Sequence, residues 1–418
     1  MSFDPTAAEH ATRAVPAGQG LAGWRIGLIL MGAMIALPSF MTGAELAHSL
    51  GPGGALLACL GGGLILLLVA LPAAYAGARS RLTTYMLIMD AFGSVGGRLV
   101  NLLLSLSLLG WFGIIASLFG RAMVVAEPVA LSGVPALYWS LLGCLLMLYT
   151  NLVGFRGLDG LSLLATPLKL ILLGWLCWQA LGHAPGPVST PAYSLRHGMS
   201  LVVGGVAIGC ILIPDICRFA RSPGGALLAC GGAFGLGFPL LLALVGLPSL
   251  ASGERELVAI MLVFGLGLPA MLILLLSAWS TNAYNLYATT LVWSSIAPRL
   301  PRWSLAMLAG VVGTLAGTLG LAERFTDYLV LLSVALPPVG GVYLCNYYLG
   351  LRWPRRARRW RPAAFVAWAG GVLVATLHDH GAVSLVGVPA LDALLIAAAL
   401  YLALHCGCGR AISQERER

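Results

Sequence analysis

Charge is what this sequence has least of. Only 9% of its 418 residues are Asp, Glu, Lys or Arg, 59% are hydrophobic, and the mean hydropathy is +0.92. Water-soluble domains carry about 25% charged residues, so a freely soluble globular fold is excluded. Lysine is almost missing: of 24 basic side chains, Lys169 alone is not arginine. The nine cysteines are scattered, mostly one to a helix, which gives no disulfide framework. The run "HCGCG", His405 to Gly409, reads as small residues at a helix end rather than a soft-metal site. There is no glycine-rich nucleotide loop, soluble domain or long linker, which excludes ATP hydrolysis. No His and carboxylate pairs recur at metal-ligand spacing, so the chain does not read as an enzyme, and no cofactor is called for. The polar residues 1–20 hold no short apolar core with a small-residue cleavage site, so the first apolar run is expected to stay as an anchor.

What is present is a series of apolar runs of about 20 residues, each long enough to cross roughly 30 Å of hydrocarbon. Barrel strands need only about 10 alternating residues, so the chain reads as an all-α polytopic membrane protein. Twelve spans are predicted: 24–48, 53–77, 98–123, 134–153, 161–182, 199–220, 225–249, 257–292, 303–321, 327–349, 363–378 and 387–406. With both termini inside, nineteen arginines fall on the inner side, six of them in "LRWPRRARRWRP", and only Arg121, Arg196, Arg255 and Arg324 fall outside. That asymmetry predicts the cytoplasmic (inner) membrane, with cytoplasmic tails at 1–23 and 407–418. It also accounts for the net charge of +9 without a nucleic-acid partner.

Two spans look interrupted near the middle of the membrane. The first contains "LPSFMTGAELAHSL", Leu37 to Leu50, preceded by Gly32. The sixth contains "VVGGVAIGCILIPDICRF", with Gly204, Gly205, Gly209 and Pro214. Proline removes a backbone donor and glycine tolerates unwound chain. In lipid such breaks survive only where they are buried in protein or line a cavity. The two spans open successive blocks of five, 24–182 and 199–349, and an odd count per block inverts the second. Broken helices at matching positions of inverted repeats point to a secondary transporter with its site at the midplane. Pro38 would restart the first helix after an unwound Gly32–Leu37, with Ser39 beside it and Gly209 at the other break. Glu45, two turns further out, is either interfacial or an outer gate paired with Arg121.

The eighth span, "LLLSAWSTNAYNLYATT", groups Ser277, Ser280, Thr281, Asn282 and Tyr284. Such hydroxyls either bond back to their own helix or line a cavity, where hard oxygens suit Na⁺. Lys169 lies about eight residues into the fifth span, roughly 12 Å deep at 1.5 Å per residue. An ionisable group at that depth is a functional candidate unless it snorkels to the surface. If buried, its ammonium is a candidate to load and release a proton.

The segments "LGWFG" (Leu109 to Gly113), "WSTNAYNLYA" (Trp279 to Ala288) and "LLSVALPPVGGVYLCNYYL" (Leu331 to Leu349) resemble bacterial cytosine permeases of the nucleobase–cation symporter family. So do "PDICRFARSP" (Pro214 to Pro223) and "GARSRLTTYMLIMDAFG" (Gly77 to Gly93). The resemblance implies a leucine-transporter-type fold: five-plus-five inverted repeats, 24–182 and 199–349, plus two C-terminal helices within 363–406. It implies carbonyls of Gly32 and Ile35 and hydroxyls of Ser280 and Thr281 around a sodium ion, with Ser277 at a further ligand position. Trp111 matches the tryptophan on which the substrate ring stacks.

The departures matter as much. Leu108 and Ile115 stand where relatives carry glutamines, and Val206 where they carry an aromatic. The substrate is therefore cytosine or a related pyrimidine or purine base, or a different heterocycle such as a thiamine-precursor pyrimidine or a hydantoin- or allantoin-type compound. Some amino-acid transporters of similar fold place a lysine of the fifth helix at the sodium position, which would make Lys169 the coupling group. Substrate contacts are expected from Trp111, Leu108, Ser39, Val206, Gly209, Asn282 and Tyr284. A channel is the least favoured reading. The oligomeric state is not given by the sequence, and one chain suffices for this scheme.

Overall fold

The computed structural model describes residues 13–16, 18, 20–126, 133–183, 194–317, 324, 328, 331, 332, 334–349, 359–379 and 385–416. Among these residues all regular secondary structure is helical, apart from one isolated parallel bridge between Leu21 and Ala220. The arginines at 352–358 lie outside the described residues.

The first helix breaks where the proline demanded it. α1 (Gly23–Met34) ends with Ile35 at φ −76°, ψ 79°, Ala36 is extended, and α2 (Leu37–Ser80) restarts with Pro38 in its first turn. Proline has no donor to lose there. The gap is narrower than the expected Gly32–Leu37, because Ile35 N still donates to Met31 O at 3.0 Å and only Ile35 and Ala36 leave the helix. Gly51, at φ 70° and ψ 170°, turns α2 into two pieces that match the first two expected spans. A short α3 (Thr84–Phe92), capped by the Thr83 hydroxyl, was not foreseen.

α4 (Gly96–Ala126), α5 (Ala136–Val153) and α6 (Phe155–Ala180) follow, the last starting earlier than the expected 161. α7 (Leu195–Ile211) and α8 (Ile213–Cys217) are parted by the single residue Leu212. The glycines of the sixth span stay helical, so its break is only one residue wide. Next come α9 (Pro223–Cys230), a π-helical turn over Gly231–Gly237, and α10 (Phe238–Ser252). The overlong eighth span is two helices, α11 (Leu257–Val263) and α12 (Gly267–Ile296), hinged where Gly265 has φ 70°. α13 (Arg302–Ala316), α14 (Pro337–Leu349), α15 (Pro362–Asp379) and α16 (Pro389–Arg416) follow among the described residues.

These helices form two packed groups. α2 lies against α7 and α10 with α1 alongside α9, while α4 lies against α5, α12 and α13. α6 touches α1, α10 and α12, and so sits between the groups. Among the described residues five helical stretches are long and apolar enough to cross a membrane, and shorter apolar helices accompany them. Lipid removes the hydrophobic drive between helices, so they associate through small residues that let backbones approach. A methyl on Gly113 would stand 2.5 Å from Gly317 N, and one on Gly43 2.4 Å from Leu242 O. Because the obstacle at Gly43 is backbone, Gly43→Val must push α2 from α10. It is expected to destabilise by about 1–3 kcal/mol, read as a lowered thermal midpoint in detergent.

Candidate functional site

The site grows out of the end of α1. The last carbonyls of a helix have no partner within it, and they carry the negative end of its dipole. Here those carbonyls face polar side chains of α6 and α12. Lys169 Nζ, fully buried, donates to Gly32 O at 2.6 Å, to Ile35 O at 3.1 Å and to Ser280 Oγ at 2.8 Å. The Ser280 hydroxyl in turn donates to Gly32 O at 3.0 Å, and the Thr281 hydroxyl to Ala33 O at 3.0 Å. All three donors of the ammonium are thus met, and Lys169 does not snorkel. The two expectations for this place, a sodium ion or an ammonium, converge on Gly32, Ile35 and Ser280. Thr281 bonds Ala33 instead. Ser277 is buried one turn earlier on α12, and its Oγ has no hydrogen-bond partner among the described residues.

Beside the ammonium lies a cavity of about 80 Å³, several times what one water requires. Leu30, Ala33, Met34, Ala36, Pro38 and Ser39 form its wall from the first break, and Leu108, Trp111 and Ile115 the wall from α4. Gly205, Val206, Ile208 and Gly209 of α7 close another side, with Phe234, Thr281, Tyr284 and Asn285. A methyl on Gly205 or Gly209 would meet nothing within 4 Å, so these glycines widen the space. The second break itself is sealed by protein, since Tyr343 of α14 donates to Ile211 O at 2.9 Å.

Of the residues expected around a substrate, Trp111, Leu108, Ser39, Val206, Gly209 and Tyr284 line this cavity. Asn282 does not. It is fully buried, its amide donates to Phe112 O at 2.9 Å, and its Oδ1 accepts from Asn285 Nδ2 at 3.2 Å. It therefore fixes α12 against α4 next to Trp111. Trp111 also packs edge-on against Tyr328, with ring centroids 6.0 Å apart.

The expected outer pair needs a different partner. Glu45 accepts from Arg255 Nη1 at 2.5 Å and from the Ser49 hydroxyl at 3.0 Å, whereas Arg121 stands exposed at the end of α4. The turn between α10 and α11 brings Arg255 to α2, a proximity the linear sequence does not carry. One turn along, His48 Nε2 lies 3.1 Å from Ser249 Oγ, which donates to Glu254 O.

Over residues 23–378 the chain matches the family described as permeases for cytosine/purines, uracil, thiamine and allantoin. The chain belongs to this family. The cytosine permeases of Escherichia coli K12 and O157:H7 are each 31% identical to this permease-family chain over 389 residues, covering 90% of it and 89% of their own length. Among solved structures, Mhp1, a nucleobase-cation-symport-1 family transporter in a closed conformation with bromovinylhydantoin bound, superposes with a TM-score of 0.83. It is 19% identical, with 96% of each chain covered. MhsT in complex with L-phenylalanine gives 0.60 at 16% identity, with 93% of this chain and 99% of its own covered. The fold of this permease-family chain is therefore an all-helical membrane fold shared with those transporters.

Among the cavity residues of this permease chain that escaped sequence reasoning are Asn285 and Phe234. Asn285 is one turn beyond Thr281 on the same face of α12, a spacing that could have found it. Phe234 arrives through the π-helical turn in "GGAFGLG", and π turns recur at functional sites. For the outer pair, side-chain exposures of 52% for Arg255 and 29% for Glu45 limit its worth. A double-mutant cycle with Glu45→Gln and Arg255→Gln should give a coupling no larger than about 1 kcal/mol, fading as salt is raised.

Proposed function

We propose that this chain is a secondary active importer of a small planar nitrogen heterocycle, a pyrimidine or purine base, coupled to a cation by alternating access. Family membership supports the substrate class, and the broken first helix beside the cavity supports the mechanism. The architecture proposed is twelve spans, as five-plus-five inverted repeats over 24–182 and 199–349 with two added helices in 363–406. The proposed orientation places both termini on the cytoplasmic side of the inner membrane. In support, exposed Trp24, Trp303 and Trp360 stand at helix starts assigned to the inner face, and Tyr138 and Trp178 at ends assigned to the outer. The bilayer and the substrate are the partners proposed, and a single chain is sufficient for the cycle.

The observation that carries the coupling proposal is the Lys169 ammonium among the oxygens of Gly32, Ile35 and Ser280. Two unit charges about 4 Å apart repel by about 4 kcal/mol at an effective dielectric of 20, so a sodium ion and the ammonium do not share this place. We assign the coupling ion as a proton carried by Lys169. With the proton on, the ammonium joins the end of α1 to α6 and α12. With it off, the third donor and the charge are lost and the helices are free to part. Glu45 and Arg255 close the outer mouth over the site.

Trp111 offers a face for ring stacking, and Tyr284, Asn285 and Ser39 offer the few polar groups that orient the ring. Aliphatic Leu108 and Ile115 in place of amides favour a less polar ring edge than cytosine presents, so a hydantoin- or allantoin-type compound or a thiamine-precursor pyrimidine is the second reading.

In liposomes holding the purified protein, labelled cytosine uptake should rise with an inward proton gradient and be indifferent to Na⁺ at equal pH. Lys169→Ala should lose that response to protons while remaining folded. Uptake raised by Na⁺ at equal pH would overturn the proton assignment, and no cytosine uptake would turn the substrate to the other heterocycles. Trp111→Ala should weaken binding of the transported ring about two- to twelvefold, since stacking adds about 0.5–1.5 kcal/mol beyond burial. Equilibrium binding in detergent checks this.

A further inference from the structure

Val203, Ala207, Cys210 and Ile211 recur at helical spacing on one face of α7, and Gly205, Ile208 and Gly209 fall on the opposite face. The glycine face lines the cavity beside Lys169. The other face lines a second cavity of about 20 Å³, bounded across from it by Leu66 of α2 and by Ala390 and Leu391 of α16. α7 is therefore a wall one helix thick between two spaces. The second space is walled by apolar side chains and the Cys210 thiol, and a cavity of that chemistry does not draw in water.

On either side of this void the sixth span has no such room. A methyl on Gly62 would stand 2.6 Å from Val202 Cβ, and one on Gly77 2.6 Å from Pro214 Cα. These contacts hold the chain against α2 just before and just after residues 203–211. Between them lies the single-residue break at Leu212, with φ −90° and ψ 3°. On the cavity side, a methyl on Gly205 or Gly209 meets nothing within 4 Å. The segment is thus fixed at both ends and uncrowded in its middle.

The facing walls are held differently. The end of α1 is tied to α6 and α12 by the Lys169 and Ser280 bonds to Gly32 O, and α4 to α12 by the Asn282 bond to Phe112 O. Packed protein resists compression, so a wall yields only toward space that lacks atoms. Behind α7 that space exists.

We propose that the void behind α7 sets the size of ring this transporter accepts: α7 bows into it, between the contacts at Gly62 and Gly77, when a ring as wide as a purine enters. Ala207, Ala390 and Leu391 then determine specificity without touching substrate, by deciding how far Val206 and Ile208 can withdraw. The inference rests on the substrate class given under Proposed function. It adds the reason that one cavity admits both monocyclic and bicyclic bases.

The test is equilibrium binding of cytosine and of adenine to the purified full chain in detergent, with the thermal midpoint checking folding. Ala390→Val and Ala207→Val fill the void from its two walls. Each should weaken adenine relative to cytosine on the order of tenfold, the discrimination that one badly fitted methylene commands in an apolar pocket. Leu391→Ala enlarges the void and should move the ratio the other way, and it serves if the filled variants do not fold. The double variant Ala390→Val/Leu391→Ala should return the ratio toward the wild type. A purely structural role for these residues would weaken both bases alike, and an unchanged ratio in folded variants overturns the proposal. If the wild type binds neither base, the substrate reading fails instead. The same ratio, taken between hydantoin and its 5-benzyl derivative, then decides the role of the void.

Discussion

A helix that stops inside a membrane leaves its last carbonyls facing a medium with no water to satisfy them, and everything near the centre of this protein follows from how that need is met. Lys169 and the hydroxyls of Ser280 and Thr281 supply donors to Gly32, Ala33 and Ile35. The cost of burying an ammonium is offset by the same contact, because the negative end of α1 is where a cation is best placed. The break and the lysine therefore stabilise each other. Removing either leaves an uncompensated polar group, and such groups are costly in the interior.

Around that contact the two helix groups have different tasks. Gly43 and Gly113 let backbones touch within each group, which makes each a stiff unit. α6 belongs wholly to neither, and it carries the side chains that reach α1. The cavity lies at the seam, mostly apolar, with its polar groups already engaged locally: the Ser39 hydroxyl donates to Met34 O at 2.6 Å and that of Thr281 to Ala33 O. A ring entering such a space is oriented by few donors and held mainly by contact area.

Much of this was legible in the residues. Composition alone gave a membrane helical protein, and Pro38 fixed the restart of the first helix to within a residue. Lysine at depth, hydroxyls at helical spacing and glycines in the sixth span marked the elements that do meet. What could not be read was proximity created by turns: Arg255 reaches Glu45 only because the chain doubles back at Gly253, and Phe234 reaches the cavity only through a wide turn that helical periodicity does not anticipate. Asn282 misled for another reason. An amide on a polar face looks the same in sequence whether it points at a ligand or at the neighbouring helix.

The lysine at the end of α1 differs from a free ion in one further respect: it is tethered. A dissolved cation must be captured from solution, stripped of water and released each cycle, so its occupancy follows concentration. An ammonium on a four-carbon stem is always at hand, and its charge follows acidity alone. On the proposed coupling, what crosses the membrane is a proton without its carrier. This position then admits no more than one per cycle, and sodium-poor surroundings would not starve it.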